Sequence, residues 1–239
     1  MKFKLLIILC LCACTIWAKE KVTYLSSDGI RITADLYISD KSNPFILLFH
    51  QSNSSRGEYN QIVPKLLKLN YNCLAVDLRA GGSMNYVKNE THEQALKTQK
   101  STAFTDALKD IDASIEFIRR YTHRQLILLG SSYSASLCLI NAVNNHDIQA
   151  VIAFSPGEYF KPEINVKEEI SGFSKPLFYT GSKIEFKYIE NLLSNVNKKH
   201  VMYFKPSGDG AHGSKILWPN TNEGKACWLQ LSMFLDRLN

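Results

Sequence analysis

Gly130-Ser131-Ser132-Tyr133-Ser134-Ala135 follows the apolar-rich run Gln125 to Leu129 and opens a helical apolar pattern at Leu137, Cys138, Leu139, Ile140 and Ala142. That order predicts a strand, a tight turn and a helix, with Ser132 at the apex. A serine hydroxyl that is to attack a carbonyl must be lifted out of a sheet on a strained turn, and small residues on either side let the strand and helix backbones approach closely enough to make it. Gly130 and Ser134 hold those two places, so the pattern is G-x-S-x-G with serine for the last glycine. The helix N-terminus behind the turn favours negative charge developing nearby. Serine here is also a common N-cap, so the hexapeptide alone leaves a nucleophile and a structural serine both open.

Outward from this turn the chain alternates strands and helices. Val22 to Leu25 and Ile30 to Ile38 alternate apolar and polar residues around Ser27-Asp28-Gly29, which predicts an antiparallel hairpin at a sheet edge. Pro44 to Phe49 is then continuously apolar, and Asn72 to Val76, Gln125 to Leu129, Ile148 to Phe154, Pro176 to Tyr179 and His200 to Phe204 complete eight expected strands. Between them lie helical patterns at Glu58 to Leu69, where Pro64 disturbs the first turns, at Ala103 to Tyr121, after Ser132, near Tyr188 to Val196 and at Lys225 to Leu238. Buried apolar strands alternating with helices imply a mostly parallel sheet covered on both faces, an α/β architecture whose site lies at the carboxyl ends of the strands.

With 239 residues, 45% of them hydrophobic, the chain can bury one substantial core and leaves little room for a second domain. Residues 1–18 read as a signal peptide: Lys2 and Lys4 form a basic start and Leu5 to Trp17 an apolar stretch too short to span a bilayer comfortably. Cleavage after Ala18 would release a soluble exported protein, periplasmic or extracellular, leaving residues 19–239 as a single domain. Leu11-Cys12-Ala13-Cys14 resembles a lipobox, so lipid anchoring at Cys14 is the alternative and would supply the chain's only membrane partner. The net charge of +6 drops by two with the leader and shows no clustering beyond Lys198-Lys199, which does not imply nucleic-acid binding. Cys73, Cys138 and Cys227 each sit in an apolar pattern and read as buried small hydrophobes, with one disulfide left open.

Polar residues that follow the strands form a short list on one edge of the sheet: His50 to Ser55, Asp77 and Arg79, Ser132, Glu158, Glu185 and His212. Nucleophile, acid and histidine in that chain order resemble the α/β-hydrolase superfamily over nearly the whole length after the leader. Asp77-Leu78-Arg79-Ala80-Gly81-Gly82-Ser83 is similar to its D-x-R-G-x-G-x-S motif, Lys175 to Gly181 to its seventh strand, and Asp209-Gly210-Ala211-His212-Gly213 to its histidine loop. Phe49 to Tyr59, the Gly130 to Ala135 turn and Phe154 to Phe160 look like a subgroup of small bacterial hydrolases near the dienelactone hydrolases. The resemblance implies the α/β-hydrolase fold with a central sheet of about eight strands and no large lid domain, since only Ser155 to Ser174 separates strands six and seven.

It also implies a serine hydrolase of carboxylic esters or related acyl bonds, acting through an acyl-serine on a small-molecule substrate without cofactor or metal. Ser132 is then the nucleophile and His212, in a Gly-rich loop with no packing pattern, the base. The acid is the chief departure. The family carries Asp a few residues after the seventh-strand glycine, whereas this chain reads Gly181-Ser182-Lys183-Ile184-Glu185. Glu185, one position later and one methylene longer, is the expected acid, with Glu158 the alternative. The backbone N–H of Tyr133 and that of Ser52, or alternatively Gln51, would form the oxyanion hole. His50 and Tyr159 are expected at the substrate pocket, with Tyr133 and Phe160 as further aromatic lining, and Met84 to Thr102 as a small loop covering it. Asp77 and Arg79 are expected to pin the loop after strand four. Two other readings keep the fold: a catalytically silent cell-envelope binding protein, in which the displaced acid marks lost chemistry, and a cysteine hydrolase, disfavoured because Cys138 lies two helical turns beyond the elbow.

Overall fold

The computed structural model describes residues 18–238; the leader, with Cys14 and its lipobox, lies outside the described residues. Five short, mostly apolar strands are buried along nearly their whole length and need cover on both sides, and the fold supplies it. The strands are β1 (Ala18–Leu25), β2 (Arg31–Ile38), β3 (Phe45–Phe49), β4 (Asn72–Val76), the short pair β5 (Ser83–Met84) and β6 (Val87–Lys88), β7 (Leu126–Ser131), β8 (Ile148–Phe154), β9 (Leu177–Thr180) and β10 (Val201–Phe204). Eight of them form one sheet in the order β1-β2-β4-β3-β7-β8-β9-β10. Only β2 runs against the rest, because β1 and β4 both pair with it antiparallel and every other neighbour is parallel.

The helices are α1 (Val63–Lys68), α2 (Glu90–Lys97), α3 (Leu108–Ile118), α4 (Tyr133–Ala142), α5 (Val166–Glu169), α6 (Phe186–Leu192) and α7 (Gly224–Asp236). Alternate residues of β3 show why both faces must be filled. Phe45, Leu47 and Phe49 point into a core shared with Ile111 and Ile115 of α3 and Leu137 of α4, while Ile46 and Leu48 meet Leu66 of α1 and Trp228 and Leu231 of α7. Cys138 lies in the first core, Cys73 and Cys227 in the second, and all three thiols are free and buried. Each fills space as a small hydrophobe and none is paired.

The eight expected strands are therefore the strands of the central sheet. The helix expected from Glu58 begins as a 3-10 turn, Arg56–Tyr59, and resumes as α1 with Pro64 in its first turn, the place where a missing N–H costs nothing. Residues 84–102 are not a loop. They hold the β5–β6 hairpin and α2, fastened by Ser55 Oγ to Val87 O (2.8 Å), Asn85 Nδ2 to Gly57 O (2.9 Å) and Glu90 N–H to Asp77 Oδ2 (2.9 Å). A polar sequence conceals this segment because its order comes from partners elsewhere in the chain.

Two buried ionic clusters carry much of that fastening. Arg56 pairs with Asp77, Asp35 and the half-exposed Glu90. Arg79 is fully buried and bridges Asp110 (Nη2–Oδ1 2.7 Å) and Asp28 (Nη1–Oδ2 2.7 Å), which ties the loop after β4 to α3 and to the β1–β2 turn. Both fit the expectation that Asp77 and Arg79 pin this loop. Removing one partner of a buried pair strands the other charge, so Arg79→Met is expected to lower stability by about 3–5 kcal/mol, read as a shift in urea midpoint at unchanged slope.

Candidate active site

At the carboxyl end of β7 the chain turns so tightly that a side chain on Gly130 would bring its Cβ to 2.5 Å from the backbone of Ala135. Glycine is required there by close approach of strand and helix. The turn forces Ser132 to φ 61° and ψ −126°, a left-handed backbone that non-glycine residues rarely adopt. Its N–H donates to Phe154 O (2.8 Å) and its C=O accepts from Ala135 N–H (2.9 Å), but its hydroxyl makes no capping bond to the helix. The N-cap reading of Ser132 therefore fails on geometry. Tyr133 is the first residue of α4, so its N–H has no intrahelical acceptor.

Ser134, standing where the pattern has glycine, is accommodated by bonding. Its buried hydroxyl accepts from Ser131 N–H (2.9 Å) and lies within donating distance of Phe49 O (2.7 Å) and Ser131 O (2.9 Å). The hydroxymethyl group thus stitches the first turn of α4 to β7 and β3.

Glu185 and His212 meet. Glu185 Oε1 pairs with His212 Nδ1, while Oε2 accepts from Ser182 N–H (2.7 Å) and from Ser155 Oγ (2.8 Å). Burial pushes the Glu185 carboxyl up, but the hydrogen bonds from His212, Ser182 and Ser155 outweigh it and hold the group at about 2. With Nδ1 committed to the carboxylate, the imidazole keeps Nε2 for other partners. Glu158 is placed elsewhere: its carboxylate accepts Val166 N–H (2.9 Å) and Lys167 N–H (3.0 Å) and so caps α5. Of the two candidate acids, only Glu185 reaches the histidine.

The loop behind His212 is fastened to the elbow. Gly213 N–H donates to Ser155 Oγ and Ser214 N–H to Ser131 Oγ, both at 2.9 Å, so Ser131, next to Ser132, is bonded to the residue two past His212. Gly213 has φ +67°, and a Cβ there would meet Ser131 Oγ at 2.4 Å. Tyr159 lies between the pieces: its phenol interacts with the Ser132 hydroxyl and feels the Glu185 charge, with burial raising its pKa, and it donates to Ser155 O (2.8 Å).

The oxyanion candidates separate cleanly. Gln51 N–H is already given to Glu58 Oε2 (3.0 Å), whereas Ser52 sits half-buried in the next turn. His50, expected at the substrate pocket, is instead fully buried, with both ring nitrogens bonded to the chain. Leu78 N–H donates to its Nε2 (2.9 Å), so the proton is on Nδ1 and is donated to Gln51 O (2.7 Å). Burial lowers its pKa, and a neutral ring with both nitrogens used has none to offer a metal or substrate. Among the described residues no cluster of His, Cys, Asp or Glu is arranged to hold a metal.

Tyr133, expected as aromatic lining, is buried instead. Its ring stacks on Phe104 (4.4 Å between centroids) and its hydroxyl donates to Ala80 O (3.0 Å). Tyr159 and Phe160, with Phe104, Lys161 and Glu163, border an open cavity of about 190 Å3 beside the elbow. Cys138 is buried and its thiol pushed well up by that burial, which removes it as a nucleophile. Sequence reasoning missed Ser155, Ser131 and Ser214, whose hydroxyls and amides position the site. Their only sequence signal is that Ser131 and Ser155 stand at strand ends and Ser214 two residues past His212.

No family model matches the chain, and no curated protein is significantly similar to it in sequence. Solved structures are similar in fold. The Pyrococcus furiosus esterase Pf2001 superposes with a TM-score of 0.72 at 18% identity, covering 93% of this chain and 94% of that one. A dienelactone hydrolase from Anabaena variabilis gives 0.71 at 15% identity, covering 92% and 98%. The esterase domain of a Rhodothermus marinus protein gives 0.65 at 13% identity, covering 93% and 100%. The described residues have the α/β-hydrolase fold, similar in size and layout to the small esterases and the dienelactone hydrolase above.

The bonding of Ser134 yields an expectation opposite to the motif's. Ser134→Gly restores the usual glycine but leaves Ser131 N–H unpaired in the core, so it should lower stability by about 2 kcal/mol, measured by urea unfolding, rather than relax the elbow.

Proposed function

We propose that this protein is an exported serine hydrolase of small-molecule carboxylic esters or related acyl bonds. The observation that carries the reading is the Glu185–His212 pair bonded through neighbouring residues to a strained serine whose hydroxyl caps nothing. In this reading Ser132 Oγ attacks the acyl carbon while His212 Nε2 takes its proton. Glu185 stays ionised, fixes the ring through Nδ1 and stabilises the imidazolium. The carbonyl oxygen, now an oxyanion, is held by the N–H groups of Tyr133 and Ser52, at the positive end of α4. His212 returns the proton to the departing alcohol, leaving an acyl-serine. A water deprotonated by His212 then attacks it, releasing the acid and restoring the hydroxyl. The cavity bordered by Phe104, Tyr159 and Phe160 would take an apolar part of the substrate.

The chain is proposed to act outside the cytoplasm, either free after cleavage following Ala18 or anchored by lipid at Cys14. Retention of the intact protein in the membrane fraction, lost in Cys14→Ala, would mark the anchored form. The silent binding-protein reading rested on the displaced acid, and Glu185 reaching His212 removes that support.

A fluorophosphonate should label the wild type and fail on Ser132→Ala; an unlabelled, folded wild type would defeat the enzyme reading. Glu185→Gln should lower kcat for p-nitrophenyl acetate by about 10³- to 10⁴-fold while Glu158→Gln, which only loosens the cap of α5, stays within about threefold. The reverse order would move the acid to Glu158. Because Glu185 remains ionised down to about 2, its stabilising contribution is present above the ordinary carboxylate range and is lost only as pH falls through that value. Any fall in kcat/KM between pH ~7 and pH ~4 is therefore expected to come from a group other than Glu185, checked by a pH profile recorded where circular dichroism shows the protein folded.

A further inference from the structure

Glu58 takes no part in the chemistry above, yet its carboxylate is wholly buried beside it. Oε2 accepts from Gln51 N–H (3.0 Å) and from Ser54 Oγ (2.8 Å), and Oε1 accepts from Ser214 Oγ (2.5 Å). Its backbone C=O accepts the indole N–H of Trp218 (3.1 Å). The first two donors belong to the loop that carries Ser52. The third is two residues past His212, and the same Ser214 donates its N–H to Ser131 Oγ beside the nucleophile. Filling this space would be cheaper with an apolar side chain, since a buried carboxylate is costly unless every lone pair is used. The donors that surround it come from the two loops whose spacing sets the distance between oxyanion donors and base.

We infer that Glu58 is a positioning residue of the hydrolytic site, resting on the hydrolase reading of the preceding subsection. It draws Gln51 N–H away from the oxyanion position, which leaves Ser52 N–H as the loop's donor. It also ties that loop to the histidine loop through Ser214, so the oxyanion donors and the imidazole keep one relative geometry. Misplacement by about 1 Å in such a site costs about 10²-fold in rate, and loss of one oxyanion donor costs 10²–10³-fold.

The test is Glu58→Gln, which keeps the size but gives up the charge and one acceptor oxygen, so the three donors now shared between two carboxylate oxygens must share one or turn round. With p-nitrophenyl acetate, kcat should fall at least about tenfold while KM stays within about twofold. The inhibition constant of phenylboronic acid, which adds to a serine hydroxyl and places an oxygen at the oxyanion position, should rise by a similar factor. Ser214→Ala cuts only the link to the histidine loop and should lower kcat several-fold. The double variant should be no slower than Glu58→Gln alone, because both break one connection. Unchanged kcat in Glu58→Gln, or losses that multiply in the double variant, would overturn the inference. If Glu58→Gln does not fold, Ser54→Ala and Ser214→Ala remove the two hydroxyl partners and leave the carboxylate in place for the same measurement. Hydrolysis undiminished in Ser132→Ala would defeat the hydrolase reading itself, whereas Ser132-dependent hydrolysis indifferent to Glu58 would defeat only this inference.

Discussion

The approach of α4 to β7 leaves no space for a Cβ at position 130, and the site is built around that exclusion. Because the strand and helix backbones touch there, the residue at the apex must take a left-handed conformation, and Ser132 is held at φ 61°. Such a backbone costs of order 1–3 kcal/mol for a residue with a side chain and persists only where its surroundings over-determine it. The surroundings are visible. Ser132 N–H is given to β8, Ala135 N–H returns to Ser132 O, and the Ser134 hydroxyl joins Ser131 and Phe49. Burial of α4 in the core on one face of the sheet supplies the energy, and the strain points a hydroxyl away from the helix it would otherwise cap.

Serine hydroxyls recur at every junction of the site. Ser155 adopts φ 52° at the end of β8, and its Oγ accepts from Gly213 N–H while donating to Glu185 Oε2. Ser131 accepts from Ser214 N–H, and Ser214 donates to Glu58. A hydroxyl both donates and accepts, so it can join an N–H donor to a carboxylate acceptor in a space too small for water. Consecutive amides of the histidine loop are thereby held by two different strands. One chain of bonds leads to the carboxylate on the imidazole and the other to the Glu58 carboxylate under the loop after β3.

Much of this was legible in the sequence because it is local or periodic. The strands announce themselves as apolar runs since both faces of the sheet are covered, and the elbow is readable because its constraint lies within six residues. What stayed hidden depends on partners far apart in the chain. The β5–β6 hairpin and α2 are polar and are ordered by Arg56, Asp77 and Asn89, so no periodicity marks them. Glu58 begins an amphipathic stretch and reads as its solvated end, and only its contact with Ser214, 156 residues on, gives it another meaning. His50 looks like a pocket residue from its place after β3, but which way its ring turns is decided by Leu78 N–H.

Glu185, the proposed acid, shows how a departure from pattern is absorbed by geometry. An aspartate in the usual position would reach the imidazole with one carboxylate oxygen from a short stem. Glu185 starts later, at the entrance to α6, and its extra methylene brings Oε1 to His212 while Oε2 turns back to Ser182 N–H and Ser155 Oγ. A longer side chain has more rotamers to lose, so it needs more contacts to be held in one. Those contacts are also what keep it ionised against the desolvation that burial imposes. Lengthening the acid and enriching its hydrogen bonds are thus one adjustment: without Ser155 and Ser182 the glutamate would be both mobile and harder to ionise, and the histidine would lose orientation and counter-charge together.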